Sequence, residues 1–327
     1  MEMTCRICGN DKENVPYLVP EMMFGYKDVF SYFQCAQCEC LQIAEIPRNI
    51  AKYYEQGYYA HQPLPVPGPL KRAAIKLRNE YAVFNQNIVG KFLHQKHPND
   101  ILQSLAPLRL TREARILDVG CGMGRALRAL FELGFKNNLG IDPFIKEDIT
   151  SPNGPVILKK NIREIQDKWD VVMFHHSLEH IPDPQKTLEK VSGILAENGS
   201  CVVRIPIASS YAWRHYGVNW VQLDAPRHFF LHSIKSMQIM AKRAQLDLYR
   251  IDYDSFAFQF WGSEQYKLGI SHMDPRSYAI NPKNSIFPPK KIAEFATSAK
   301  QLNEAKDGDQ AVFYLKKIKN SPVQRPI

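Results

Sequence analysis

Between Arg115 and Arg125 the chain reads Arg-Ile-Leu-Asp-Val-Gly-Cys-Gly-Met-Gly-Arg, a short apolar run closing on three alternate glycines. The run has the length and composition of a buried strand, and Arg125 to Leu133 then carries apolar residues at helical spacing. Gly120, Gly122 and Gly124 can take positive φ, and they let a ligand approach the backbone with no Cβ in the way. A strand, a tight glycine turn and a helix, in that order, predict the opening unit of a parallel sheet covered by helices.

The rest of the chain continues that rhythm. Apolar runs at Asn138–Ile141, Val156–Leu158, Val171–Phe174, Cys201–Ile205 and Leu248–Tyr253 read as strands, while Pro184–Leu195 and Ser233–Ala244 read as amphipathic helices. The expected class is α/β, a Rossmann-like doubly wound sheet, mostly parallel, with Ala311–Leu315 as a final edge strand. Upstream, Ile75, Leu77, Tyr81, Phe84, Ile88 and Phe92 recur among basic residues, which predicts one helix from Leu70 to about Gln95. Two aromatic-rich stretches, 208–230 and 255–289, break the alternation and are expected to be ordered, functional insertions.

A pyrophosphate-binding turn is spaced GxGxxG, so that the diphosphate reaches the helix N-terminus. Here the spacing is GxGxG, and Asp118 at the strand end sets a carboxylate beside the turn. That favours a nucleoside with a cationic tail over a dinucleotide. Asp142, followed by Pro143, closes the second strand, where a carboxylate can accept from both ribose hydroxyls. Asn161 follows the third strand and is placed for an adenine amino group, and Asp170–His175 brings a fourth strand end to the same crevice.

With ILDVGCGMG, the acidic strand end LGID and the segment His176-Ser-Leu-Glu-His-Ile-Pro-Asp-Pro184 in view, the chain resembles the class I S-adenosylmethionine-dependent methyltransferases. Within them it is similar to the ubiquinone-biosynthesis O-methyltransferase branch, over about residues 100–255. The resemblance implies a cofactor site of Asp118, Gly120, Cys121, Gly122, Gly124, Asp142, Pro143, Asn161, Ile162 and His175. The family usually has aspartate where Asn161 stands. The early CxxC pairs, the tyrosine-rich YYEQGYY and LDAPRHFFLHS also resemble a bacterial subgroup associated with polysaccharide and sugar modification.

Cys5-Arg-Ile-Cys8 and Cys35-Ala-Gln-Cys38 form two CxxC pairs, and each pair can put two thiolates on one metal from a tight knuckle. Four such ligands close a tetrahedral zinc site, leaving no open position for chemistry, so the expected role is folding. Cys40 is a possible competitor for Cys38, and Cys121 and Cys201 are expected in the core. The resulting division is a zinc-ribbon-like module at 1–60, a linker and basic helix at 61–97, and a methyltransferase domain at 98–327.

Methyl transfer to a hydroxyl needs alignment and a base for the departing proton. His176, His180, His215, His228 and His232 are the imidazoles near the expected crevice; His180 and His228, with Glu179 orienting a base or binding acceptor hydroxyls, are the expected catalytic residues. The formal net charge of +9, together with Arg214 and Arg227, points to a small, sugar-like, anionic acceptor. An RNA acceptor held by the zinc ribbon, a non-catalytic binder of the cofactor, and a nicotinamide dehydrogenase are the alternatives. No apolar run is long enough to span a membrane and the start does not read as a secretory signal, so a cytoplasmic protein is expected.

Overall fold

The computed structural model describes residues 3–54 and 67–318. Most of the proline-rich stretch 61–69 expected as a linker, and with it the expected boundary near residue 60, lies outside these residues. The strands are β1 Val15–Pro20, β2 Val29–Gln34, β3 Leu41–Ile43, β4 Ile116–Val119, β5 Asn138–Ile141, β6 Val156–Leu158, β7 Trp169–His175, β8 Leu195–Pro206, β9 Phe230–Leu231, β10 Leu246–Tyr253 and β11 Gln310–Lys317. Seven of them form one sheet in the order β10-β11-β8-β7-β4-β5-β6. The pairs β4 with β5, β4 with β7, β5 with β6 and β7 with β8 are parallel. Helices Arg125–Glu132, Pro184–Ile194 and Ile234–Arg243 make the crossovers between strands. This is the mostly parallel sheet of the class I methyltransferase fold, and its order reverses at β4, the strand that leads into the glycine turn.

Three sequence expectations are corrected. The run at Ala311–Leu315 is not an edge: β11 pairs antiparallel with both β8 and β10, and β10 is the outer strand. Continuous burial of Ala311 through Leu315 requires neighbours on both sides, which an edge position does not supply. The single basic helix is two helices, Pro69–Phe84 and Ile88–Lys96. Asn85 and Asn87 take left-handed φ of 55° and 63°, and the Asn87 side chain caps the second helix by accepting from Gly90 N–H. Ile88 and Phe92, expected on the packed face, are exposed to 83% and 57%.

The third correction concerns the N-terminal module, whose sheet is not its own. β1, β2 and β3 form an antiparallel meander that is completed by β9, Phe230–Leu231, at the end of the aromatic stretch. That stretch is core: Trp213, Trp220, Phe229 and Phe230 are buried, and Trp213 packs edge-on against Tyr17 of β1 with ring centroids 5.0 Å apart. One apolar cluster therefore runs from the cysteines through these aromatics to β7 and β8, each fully buried large side chain contributing about 1.5–3 kcal/mol.

Candidate functional site

The C-terminal ends of β4, β5 and β7 open on a cavity of about 520 Å³. Gly120, Gly122 and Gly124 have φ of 73°, 53° and 70°, as the turn demands. At Gly120 a Cβ would lie 2.6 Å from Ser177 Cβ, and the Ser177 hydroxyl donates to Val119 O at 2.6 Å, so the loops after β4 and β7 touch. Asp142 Oδ2 accepts from Gly122 N–H and Oδ1 from Phe144 N–H, each at 2.9 Å. The carboxylate is thus held by backbone on both oxygens, with a lone pair left on each. Asp118 is buried, and burial followed by the nearby Asp142 charge pushes its carboxyl up to about 8.

Of the ten residues expected around the cofactor, Asp118, Gly120, Cys121, Gly122, Asp142, Pro143, Asn161, Ile162 and His175 line the cavity. Gly124 does not; it starts the helix, and a Cβ there would meet Ile157 Cδ1 at 2.4 Å. Asn161 is the N-cap of a short 3₁₀ turn, its Oδ1 accepting from Arg163 N–H at 3.1 Å. His176, one of the imidazoles expected near the crevice, also lines the cavity, as do Tyr54, Ile101, Phe144 and Ser177, which were not anticipated. Tyr54 comes from the first segment and stacks with Phe144, ring centroids 6.3 Å apart; only its place in the tyrosine-rich motif hinted at it.

Beyond β7, the segment 176–180 turns back under the cavity. His180 lines it, whereas Glu179 and His228 sit behind, all three within 4.8 Å of one another by one polar atom each. His180 Nδ1 lies 2.9 Å from Arg227 O and His228 Nδ1 lies 2.8 Å from Gln222 O. A carbonyl only accepts, so each Nδ1 carries a proton, which at His180 also faces Tyr54 Oη at 3.2 Å. Burial, then the neighbouring His228, lowers His180 to about 4. His176 has a φ of 51°, rare for a non-glycine residue, and its Nε2 accepts from Arg204 Nη1 at 2.9 Å, directing Nδ1 toward Glu179 Oε1 at 3.4 Å. Arg204 is itself anchored to Asp254. Neither Arg204 nor Asp254 carries a motif, and sequence reasoning missed both.

Arg214 and Arg227 do not reach the cavity. Arg214 pairs with Asp307 at 2.6 Å, and Arg227 is fully buried and bonded to Asp224. His215 stacks on Tyr211 at 5.0 Å, and His232 is buried beside Ser236 and Cys40.

The four cysteines of the CxxC pairs converge. Cys5 and Cys38 sulfurs are 3.5 Å apart, Cys8 and Cys35 sulfurs 3.4 Å, and all four lie within 4.8 Å. Tetrahedral thiolate ligation with bonds of about 2.3 Å needs sulfur separations of about 3.8 Å, so the set fits a zinc ion. Each pair is a knuckle closed by a backbone bond, Gly9 N–H to Cys5 O and Glu39 N–H to Cys35 O, both 2.9 Å, with Gly9 and Glu39 left-handed. Cys40 stands outside the cluster, its sulfur toward Leu41 O and His232.

Residues 91–251 match the family described as Methyltransferase domain. Similar proteins include the ubiquinone biosynthesis O-methyltransferases of Xanthomonas euvesicatoria pv. vesicatoria, 24% identical, and of Xanthomonas oryzae pv. oryzae, 23% identical, each over 209 residues covering 57% of this chain and 87% of the relative. Among solved structures, the cyclopropane synthase MmaA2 from Mycobacterium tuberculosis superposes with a TM-score of 0.44 at 16% identity, covering 67% of this chain and 83% of that one. An S-adenosylmethionine-dependent methyltransferase from Mesorhizobium loti gives a TM-score of 0.41 at 16% identity, covering 65% and 98%. Strand order, glycine turn, acidic strand ends and family match agree, and the chain is an S-adenosylmethionine-dependent methyltransferase of class I fold, with a four-cysteine module ahead of its catalytic domain.

Proposed function

We propose that the protein methylates a hydroxyl of a small, polar, sugar-like acceptor, and that His180 removes the hydroxyl proton. The observation that carries this is the His180 ring: it lines the cavity, is held neutral by burial, and has Nδ1–H fixed on Arg227 O, so that Nε2 accepts the proton. Glu179 and His228, behind it, are positioning residues, and the Glu179 carboxylate offsets the charge on the imidazolium. S-adenosylmethionine supplies an electrophilic methyl group when bound. Asp142 would hold the ribose hydroxyls through its two remaining lone pairs, Asp118 the cationic tail, and Asn161 and Ile162 the adenine edge. Gly120, Cys121, Gly122, Pro143 and His175 would form the walls.

The sugar-like class rests on the resemblance to the polysaccharide-linked subgroup. The anionic character read from Arg214 and Arg227 loses its support, since both guanidinium groups are engaged elsewhere. We also propose one structural zinc ion on Cys5, Cys8, Cys35 and Cys38, whose four-thiolate set leaves no position for a substrate. None of the seven cysteines is in a disulfide, which fits a cytoplasmic site of action, and among the described residues no helix is long and apolar enough to cross a membrane.

The test is transfer of a labelled methyl group to a panel of sugars and nucleotide-linked sugars. His180→Ala is expected to cut turnover by about 100- to 10,000-fold with S-adenosylhomocysteine affinity unchanged. Acceptance by RNA alone, or normal turnover in His180→Ala with chemistry rate-limiting, would overturn the assignment.

A further inference from the structure

Resting on that assignment of His180, the geometry points to the four-cysteine module as a positioning element of the acceptor side, with Tyr32 and Glu21 as the residues that act. Residues 227–229 form a splint between the module and the histidines. On the module's side, Tyr32 Oη, on a side chain 1% exposed, donates to His228 O at 2.8 Å. Ile43 N–H donates to Phe229 O at 3.0 Å, continuing the β3–β9 ladder. The Arg227 guanidinium donates to Tyr53 O at 3.1 Å, lies 3.5 Å from Glu21 Oε1, and covers the Phe24 ring at 5.2 Å.

On the catalytic side, the same three residues hold the acceptor end. Arg227 O takes the Nδ1 proton of His180, Phe229 N–H donates to Glu179 O at 2.8 Å, and the His228 ring stands edge-on to His180 with centroids 4.7 Å apart. Glu21 is fully buried and its carboxylate accepts from Phe24 N–H and Tyr26 N–H, at 2.8 and 2.9 Å, which makes it a rigid abutment for Arg227. A shift of the splint therefore moves the carbonyl that sets the His180 tautomer. The glycine turn and Asp142, after β4 and β5, take no part in these bonds, whereas Tyr54, next to Tyr53, meets both ends: its ring stacks with Phe144 and its hydroxyl lies 3.2 Å from His180 Nδ1. Tyr32 and Glu21 thus act on the acceptor side, through the splint.

The experiment uses full-length protein labelled with ¹⁵N-histidine, in the Tyr32→Phe and Glu21→Gln variants. Val19→Ala is the control, a buried module residue in none of the bonds above. Long-range ¹H–¹⁵N spectra report each tautomer, with the His180 and His228 signals assigned from single substitutions. Tyr32→Phe is expected to move both signals toward mixed tautomers and to lower turnover by about 3- to 10-fold, the effect of one hydrogen bond, with S-adenosylhomocysteine affinity within twofold of wild type. Glu21→Gln is expected to act in the same direction. Wild-type histidine signals in both variants, or equal shifts in Val19→Ala at matched stability, would overturn the proposal. Normal turnover in His180→Ala would remove the base assignment alone, because the tautomer readout does not depend on it.

Discussion

Asp142→Asn separates two functions carried by one carboxylate. Each oxygen takes one backbone N–H, from Gly122 and from Phe144, at 2.9 Å. An asparagine keeps one accepting oxygen and turns an NH₂ group toward the other N–H, so one backbone bond is lost in either orientation. The same NH₂ group also loses the acceptor that a ribose hydroxyl would use. Hydrogen bonds to a charged group contribute about 1.5–3 kcal/mol each. Loss of one ribose bond of that kind should weaken S-adenosylhomocysteine binding by about 10- to 150-fold. Loss of one turn-holding bond should lower ligand-free stability by about 1.5–3 kcal/mol. Isothermal calorimetry reads the first quantity and urea unfolding with unchanged slope reads the second. Affinity within twofold of wild type, in a variant that shows the expected loss of stability, would refute the ribose role while leaving the turn-holding role intact.

Asp118, raised to about 8 by burial and by the Asp142 charge, keeps its proton in the ligand-free fold at a pH where the unfolded chain has released it. Its contribution to ligand-free stability is therefore present at low pH and lost as the pH rises from about 4 to about 8. A cationic ligand tail reverses the preference, so S-adenosylhomocysteine affinity should climb between about pH 6 and 8, and in Asp118→Asn that climb should vanish. The buried imidazoles act in the other direction: His180 and His232 are lowered to about 4, chiefly by burial, and burial also lowers His175. The unfolded chain protonates them first, so stability should fall as pH drops from about 6.5 toward 4, by up to about 1.4 kcal/mol per pH unit for each histidine. Denaturant titrations at several pH values, with His232→Asn reducing the slope, check this. Elemental analysis should find one zinc per chain, and Cys35→Ser should lose it. Because the cysteine cluster shares its core and β9 with the catalytic domain, that variant should unfold in one lowered transition; two separated calorimetric peaks would contradict it.

Local chemistry made the cofactor end and the metal ligands readable from the sequence. Strand, GxGxG turn and helix occupy adjacent residues, Asp142 and Asn161 follow at strand ends whose direction a parallel sheet dictates, and a CxxC knuckle brings its own two sulfurs together. Nine of the ten cofactor-side residues line the cavity for that reason. The tenth, Gly124, belongs to the same motif but supplies room for Ile157. What only the tertiary structure decided are contacts between distant segments. The burial of Ala311–Leu315 is a property of the sheet interior, and an apolar run looks the same at its edge or centre. The two-helix break at Asn85–Asn87 is held by an asparagine cap and by close packing at Gly90, where a Cβ would lie 2.3 Å from Leu77 O. Arg227, which read as an anion binder, is enclosed by Asp224, Glu21 and Tyr53; Tyr32 reaches His228 across 196 residues; and Arg204 sets the His176 tautomer from a neighbouring strand. A charge or hydroxyl shows its chemistry in the sequence, but its partner depends on which chain segments the folded core brings within about 3 Å, and that is a property of the packed whole.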